Sequence, residues 1–215
     1  MVHKVKILKI KQLTHNVKSI ITEKPESYKF KEGQFIEISI NKPLLKNKKR
    51  SFSIASINSD LYLEFIIKIY KERNAITKEM DELKEGETLL IESPKGEIEF
   101  KGKGTFIAGG TGITPFISIM KQLKEINELK ENKLFFSNKT KEDIILKEEL
   151  DSYKDLEKEY ILTKNSKRID NEFLKNNIKN FNQFFYICGP IRMVGEIQSY
   201  LVQLGLNPEF LVLET

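Results

Sequence analysis

The chain has 215 residues, with 36 Lys and Arg, 31 Asp and Glu, two His, one Cys and a formal charge of +5; hydrophobic residues make up 40%. That composition excludes a disordered chain, a collagen-like repeat and a disulfide scaffold, and the lone Cys188 excludes a Cys-clustered iron–sulfur or zinc site. Residues 1–50 hold thirteen Lys and Arg against four Glu, a local charge of +9 that leaves −4 for residues 51–215, so a positive face could steer an acidic protein, a phosphate-bearing ligand or nucleic acid.

In chain order, short alternating segments come first: Val5–Ile7, Ser19–Ile21, Phe35–Ile40, Ser51–Ile54, Leu61–Ile67 and Thr88–Ile91, each of β type. Turn chemistry at Gly33, Asn58-Ser59-Asp60, Gly86 and Ser93-Pro94-Lys95-Gly96 separates them at spacings that suit an antiparallel barrel, with a short helix near Ile76–Leu83. From about Gly104 apolar strands alternate with polar helices. The strands are Thr105–Ala108, Leu134–Ser137, Tyr160–Thr163, Phe184–Cys188 and Phe210–Leu213. The helices run over Pro115–Lys130, with Thr114 as N-cap, and near Asp143–Tyr153, Asn171–Asn177 and Ile191–Leu204. Helices between strands imply parallel crossovers and an open doubly wound sheet whose crevice lies at the carboxyl ends of its strands. The longest uncharged stretch, Gly104–Met120, is too short and too broken by glycine and Pro115 to span a bilayer easily. The first residues lack a signal peptide's apolar run, so a cytoplasmic location is the default expectation.

Three segments carry chemistry. Phe106 to Pro115 runs from strand through Gly109-Gly110-Thr111-Gly112 into a helix, so glycines would admit a phosphate to the backbone where a helix N-terminus offers free N–H groups. It is not a P-loop, because Gly110 and Thr111 stand where Lys and Ser/Thr would be needed, and Pro115 occupies the third glycine's place of the ordinary dinucleotide fingerprint. Arg50-Ser51-Phe52-Ser53 alternates a guanidinium, a ring and hydroxyls along a strand, so a bulge or strand end would be needed to aim them all at one ligand. Tyr186-Ile187-Cys188-Gly189-Pro190 ends a parallel strand with a thiol at the crevice.

Together these segments resemble the ferredoxin–NADP reductase superfamily of flavin-dependent oxidoreductases, over essentially the whole chain. The resemblance implies a two-domain β plus α/β protein. Residues 1–101 would form a six-stranded antiparallel Greek-key barrel for flavin, and residues 102–215 a five-stranded parallel doubly wound sheet for NAD(P). Arg50-Ser51-Phe52-Ser53 matches the family's R-x-[YF]-S flavin motif. By that likeness Arg50 pairs with a flavin phosphate, Phe52 packs on the isoalloxazine and Ser53 hydrogen-bonds near its N5. Ile67 and Lys68 are included among the flavin positions. The family's G-x-x-[ST] phosphate motif has its counterpart in Asn74-Ala75-Ile76-Thr77, with Asn74 in place of glycine, and its P-x-G-x-F sequence appears as Pro94-Lys95-Gly96-Glu97-Ile98, with Phe100 two positions late.

By the same likeness Gly110, Thr111, Gly112, Thr114 and Pro115 form the nicotinamide-dinucleotide loop. Cys188-Gly189-Pro190-Ile191-Arg192-Met193 matches the C-G-P-x-x-M motif, in which the Cys sits beside the nicotinamide. Glu214 resembles the acid that joins Ser53 and Cys188 around the hydride-transfer position. The family's usual closing aromatic is replaced by Thr215. Asn138-Lys139 after the second parallel strand and Thr163-Lys164 after the third are basic loops, the second resembling the Ser-Arg pair that holds a 2′-phosphate, so NADPH is expected over NADH. The implied cofactor is FAD, with FMN as alternative. Without a cysteine cluster of its own the chain needs a separate acceptor, for which an acidic ferredoxin or flavodoxin suits the basic segment. The alternatives are an NADH-dependent electron-transfer subunit, a free-flavin or quinone reductase, and a non-catalytic basic module. No nucleic-acid partner, metal or membrane span is expected.

Overall fold

A computed structural model describes residues 1–70, 76–96, 98–165 and 168–213. Two compact units make up the chain, Met1–Gly96 with Thr114–Gln122, and Glu97–Ile113 with Leu123–Thr215.

In the first unit the strands are β1 (Val2–Thr14), β2 (Val17–Glu23), β3 (Phe35–Ile40), β4 (Arg50–Ser53), β5 (Tyr62–Lys68) and β6 (Thr88–Glu92), with the helix α1 (Ile76–Asp81) before β6. They pair antiparallel in the order β4-β3-β6-β1-β2-β5. A bridge between Ile54 and Phe65, with the Ala55 amide donating to the Glu64 carbonyl at 2.8 Å, joins the two edges and closes the barrel. Alternate side chains such as Ile20, Ile36, Ile38, Phe65 and Ile91 fill the interior. Strand β1 is much longer than the expected Val5–Ile7, because one strand serves two partners. Val2–Lys6 pairs with β6, and from Ile7 onward the strand pairs with β2, with a register shift between Ile7 and Lys9 where it changes neighbour.

In the second unit β7 (Gly104–Gly109), β8 (Lys133–Asn138), β9 (Glu157–Leu162), β10 (Phe184–Cys188) and β11 (Leu211–Leu213) pair parallel in the order β11-β10-β7-β8-β9. The helices α2 (Thr114–Glu125), α3 (Lys147–Ser152), α4 (Asn171–Asn177) and α5 (Ile191–Gln203) lie between the strands in sequence. Each β7 residue is buried, the pattern of a central parallel strand covered on both faces. Around it pack Phe135, Ile161, Phe185, Ile187, Ile197 and Leu201.

Three expected helix boundaries are corrected. Helix α2 ends at Glu125, not Lys130, because Asn127 takes a left-handed conformation (φ 59°); the amides of Asn127 and Glu128 then return to the carbonyls of Lys124 (3.2 Å) and Leu123 (2.7 Å). The expected helix Asp143–Tyr153 is broken. A 3-10 turn spans Lys141–Asp143, where the Asp143 carboxylate accepts from the amide (2.9 Å) and hydroxyl (3.0 Å) of Thr140, and Leu146 at φ 53° redirects the chain before α3. Thr114 is not an N-cap but the first residue of α2, since a 3-10 turn over Gly110–Ile113 leads into the helix.

Candidate functional site

In the second unit the chain leaves β7 toward β8 on one side, while β10 lies on β7's other side and feeds β11 beyond it. The connections therefore diverge at the carboxyl ends of β7 and β10, the place where an open α/β sheet has its crevice. Cys188, the last residue of β10, pairs with Ala108 one residue before the glycines. Its thiol is buried and in no disulfide. The glycines are needed for two different reasons. A Cβ on Gly112 would lie 2.3 Å from the Cys188 carbonyl oxygen and 2.5 Å from the Gly189 Cα, and one on Gly109 would lie 2.6 Å from the Met193 sulfur. The two motif loops thus abut without room for a side chain, and Met193 covers the contact. Gly110 instead has φ +55° and nothing within 4 Å of an added Cβ, so the turn presents bare backbone to open space there. Thr111 is half-buried, and Thr114 and Pro115 are buried in the first turn of α2.

The ends of β8 and β9 are stapled together. The Thr163 hydroxyl donates to the Asn138 carbonyl at 3.3 Å, and the Lys164 amide to the Lys139 carbonyl at 3.0 Å, leaving both lysines exposed. Asn138 is itself buried, with 5% of its surface exposed, yet its side-chain amide nitrogen has no hydrogen-bond partner.

In the barrel, Arg50 and Ser51 are exposed and Phe52 and Ser53 half-buried on β4. Phe52 packs against the barrel core, and the strand ends at Ser53. Ile67 is buried on β5, and the Lys68 ammonium lies 5.7 Å over the Tyr70 ring. Ile76 and Thr77 open α1, both buried, and the Thr77 hydroxyl has no partner. Asn74, Ala75 and Glu214 lie outside the described residues. Among the described residues Thr77 and Asn138 are the two with a buried, unpartnered side-chain polar atom. Each such group costs about 1–3 kcal/mol. Folding gains nothing from either, whereas a phosphate for the hydroxyl and a nucleotide acceptor for the amide would satisfy both, so the residues present fit the groups that the motifs imply.

The family model described as the oxidoreductase FAD-binding domain matches residues 4–100, and that described as the oxidoreductase NAD-binding domain matches residues 106–199. The chain belongs to the ferredoxin–NADP reductase-like superfamily. This superfamily member carries the FAD-binding and NAD(P)-binding domains of oxidoreductases. Human cytochrome b5 reductase 4 is 34% identical over 151 residues, which are 60% of this chain and 29% of that protein. NADH-cytochrome b5 reductase 1 of Candida glabrata is 28% identical over 229 residues, 90% of this chain and 76% of that one. The chain thus spans under a third of the human relative's length. Among solved structures, a ferredoxin NADP+ reductase from Neisseria gonorrhoeae with bound FAD and NADP has a TM-score of 0.88 at 22% identity, covering 99% of this chain and 98% of that one.

Relative to the superfamily motifs, the structure brings Gly110, Gly112, Cys188, Gly189, Pro190 and Met193 to one crevice and joins the ends of β8 and β9. Sequence reading missed Lys121 and Glu64, which form a largely buried ion pair, because nothing local marks two charged residues so far apart as partners.

Proposed function

We propose that the chain takes reducing equivalents from NADPH onto a bound FAD and delivers them to a separate acidic electron carrier, a ferredoxin or flavodoxin. Residues 1–101 serve as the flavin domain and residues 102–215 as the nucleotide domain. The observation that carries this is the glycine-lined switch point, where Gly112 abuts Cys188 and Gly110 leaves open backbone for a pyrophosphate. When bound, the flavin supplies the hydride-accepting and electron-releasing chemistry that no side chain can.

The protein binds and orients. Arg50 provides a cation and Ser51 and Thr77 hydroxyls for flavin phosphates, with Asn74, Ala75 and Ile76 assigned to the same phosphate contact by the motif likeness. Phe52 and the stem of Lys68 offer surface for the ring, Ile67, whose side chain is taken up by the barrel core, can present only its backbone, and Ser53 offers a hydroxyl near N5. Gly110, Thr111, Gly112, Thr114 and Pro115 seat the dinucleotide pyrophosphate. Cys188, Gly189, Pro190 and Met193 shape the nicotinamide end, and Glu214 is assigned to the same chemistry by the motif likeness. Asn138, Lys139, Thr163 and Lys164 hold the adenosine end. The lysines favour a 2′-phosphate, and the two carboxylates closest in sequence after β8, those of Glu142 and Asp143, are both engaged with Thr140. A second reading, NADH as donor and a b5-type haem protein as acceptor, is favoured by the names of the two relatives above.

An absorbance spectrum of the purified protein, followed anaerobically by one equivalent of NADPH or of NADH, tests this. Flavin bands that bleach faster with NADPH are expected, followed by reoxidation on adding ferredoxin or flavodoxin. Faster bleaching by NADH with reoxidation by cytochrome b5 selects the second reading. A protein still colourless after incubation with FAD overturns both.

A further inference from the structure

The segment Thr114–Gln122 of α2, which belongs to the same compact unit as the barrel, carries a largely buried charge among apolar residues. Phe116, Ile117, Ile119 and Met120 of this helix are buried, yet Lys121, two turns after Thr114, also points inward. Its ammonium donates to the Glu64 carboxylate at 2.9 Å and to the Ala55 carbonyl at 3.1 Å, with the two side chains 18% and 11% exposed. The other carboxylate oxygen of Glu64 accepts from the Ser19 hydroxyl at 2.6 Å, and the Glu64 amide donates to the Ser56 hydroxyl at 3.1 Å. One turn earlier on the helix, the Ser118 hydroxyl accepts from the Gly33 amide at 3.0 Å.

These contacts converge on one place in the barrel. Ala55 and Glu64 are the residues whose backbones close the ring of strands, and Ala55 follows Ser53, the last residue of the R-x-F-S strand, by two positions. Lys121 therefore ties α2 to the seam at which the flavin-motif strand ends. A buried ion pair adds little stability over apolar side chains of the same volume, but separating the partners is costly, because it leaves a charge buried without a partner.

We propose that Lys121 is a positioning residue for pyridine-nucleotide binding. Paired with Glu64, it holds α2 at one register on the barrel seam and so fixes the backbone amides of the helix's first turn, beginning at Thr114, where the dinucleotide is to be bound. The inference rests on the assignment of that turn to the nucleotide under Proposed function.

The test uses the full-length, flavin-loaded protein and its Lys121→Met, Glu64→Gln and doubly substituted variants. Titration calorimetry with NADP+ and with NAD+ reads nucleotide affinity, visible absorbance reads the flavin-to-protein ratio, and thermal unfolding reads stability. Both single variants are expected to bind the preferred nucleotide about tenfold more weakly with an unchanged flavin ratio, the size of effect that a small misplacement of binding groups produces. The double variant leaves no buried charge unpaired. It is expected to recover the thermal midpoint while nucleotide affinity stays low, which keeps the test decisive if a single variant fails to fold. Wild-type affinity in the single variants, or recovery of affinity together with the midpoint in the double variant, overturns the positioning role. A wild-type protein that binds neither nucleotide overturns the functional assignment itself, whereas binding by wild type with unaffected variants overturns the role of Lys121 alone.

Discussion

Thr77 separates stability from ligand affinity at the level of one atom. Its buried hydroxyl has no partner, so the isosteric Thr77→Val change is expected to raise the stability of the flavin-free protein by about 1 kcal/mol while weakening FAD binding about tenfold. Fluorescence titration with FAD and thermal unfolding of the stripped protein measure the two effects, and unchanged FAD affinity would remove Thr77 from the phosphate site. The glycines divide in the same way. At Gly112 an added Cβ meets backbone at 2.3 Å, so Gly112→Ala is expected to cost about 1–3 kcal/mol and to disturb the turn outright. At Gly110 the added methyl meets nothing. Gly110→Ala should therefore cost only the left-handed strain of about 1–2 kcal/mol, while placing a methyl group where the phosphate approaches. A Gly110→Ala protein that folds and binds NADP+ as wild type does would show that the open side of the turn is not the ligand side.

Elements were legible where periodicity and end signals agreed. Helix α4 runs over Asn171–Asn177 as expected, with the Asp170 carboxylate accepting from the Phe173 amide at 2.8 Å as its N-cap. Expectation failed where an ordinary residue took a left-handed backbone. Neither Asn127 (φ 59°) nor Leu146 (φ 53°) carries the glycine that marks such a position, and both interrupt a pattern whose apolar spacing reads through them. Replacing Asn127 by Gly is expected to be neutral or mildly stabilising, and by Ala to destabilise by about 1 kcal/mol, as denaturant midpoints would report. The reverse order would mean that Asn127 acts through its side chain rather than its backbone. Strand β1 was underestimated for a different reason. Lys4, Lys6, Lys9 and Lys11 face solvent between apolar neighbours, and the register shift after Ile7 breaks the alternation that would have announced a single long strand.

Tyrosines held out of water make the stability of the molecule fall at alkaline pH. Burial pushes the Tyr186 hydroxyl up to about 12, where it accepts from the amides of Lys101 (2.9 Å) and Gly102 (3.1 Å) and donates to the Gly102 carbonyl (2.7 Å). Burial raises Tyr28 and Tyr160 as well, Tyr160 also through its hydrogen bond to Asp151. Each stays protonated in the folded protein at pH values where the unfolded chain has lost the proton. Their contribution is therefore complete below the unfolded value of 10 and is lost as pH rises toward the folded values. Urea midpoints should be level to about pH 10 and then fall, with a shallower fall in Tyr186→Phe; a rise above pH 10 would contradict the sign. If the basic first fifty residues steer an acidic carrier, the rate of its reduction should also drop steeply between about 50 and 500 mM salt, while NADPH oxidation with a small neutral quinone as acceptor stays nearly level.

The sequence by itself determined the class of both units, the glycine turn at the crevice, the R-x-F-S strand and the C-G-P-x-x-M strand end. These depend on interactions within a few residues: alternation, helical spacing, turn chemistry and motif spacing are all local. Tertiary structure alone decided that Gly112 abuts Cys188, that the ends of β8 and β9 are stapled through Thr163 and Lys164, that Thr77 and Asn138 keep buried groups without partners, and that Lys121 meets Glu64 at the barrel seam. Each of these joins residues distant in the chain, or depends on which groups burial leaves unpaired. Such partners are chosen by the packing of whole strands and helices, which no local pattern encodes.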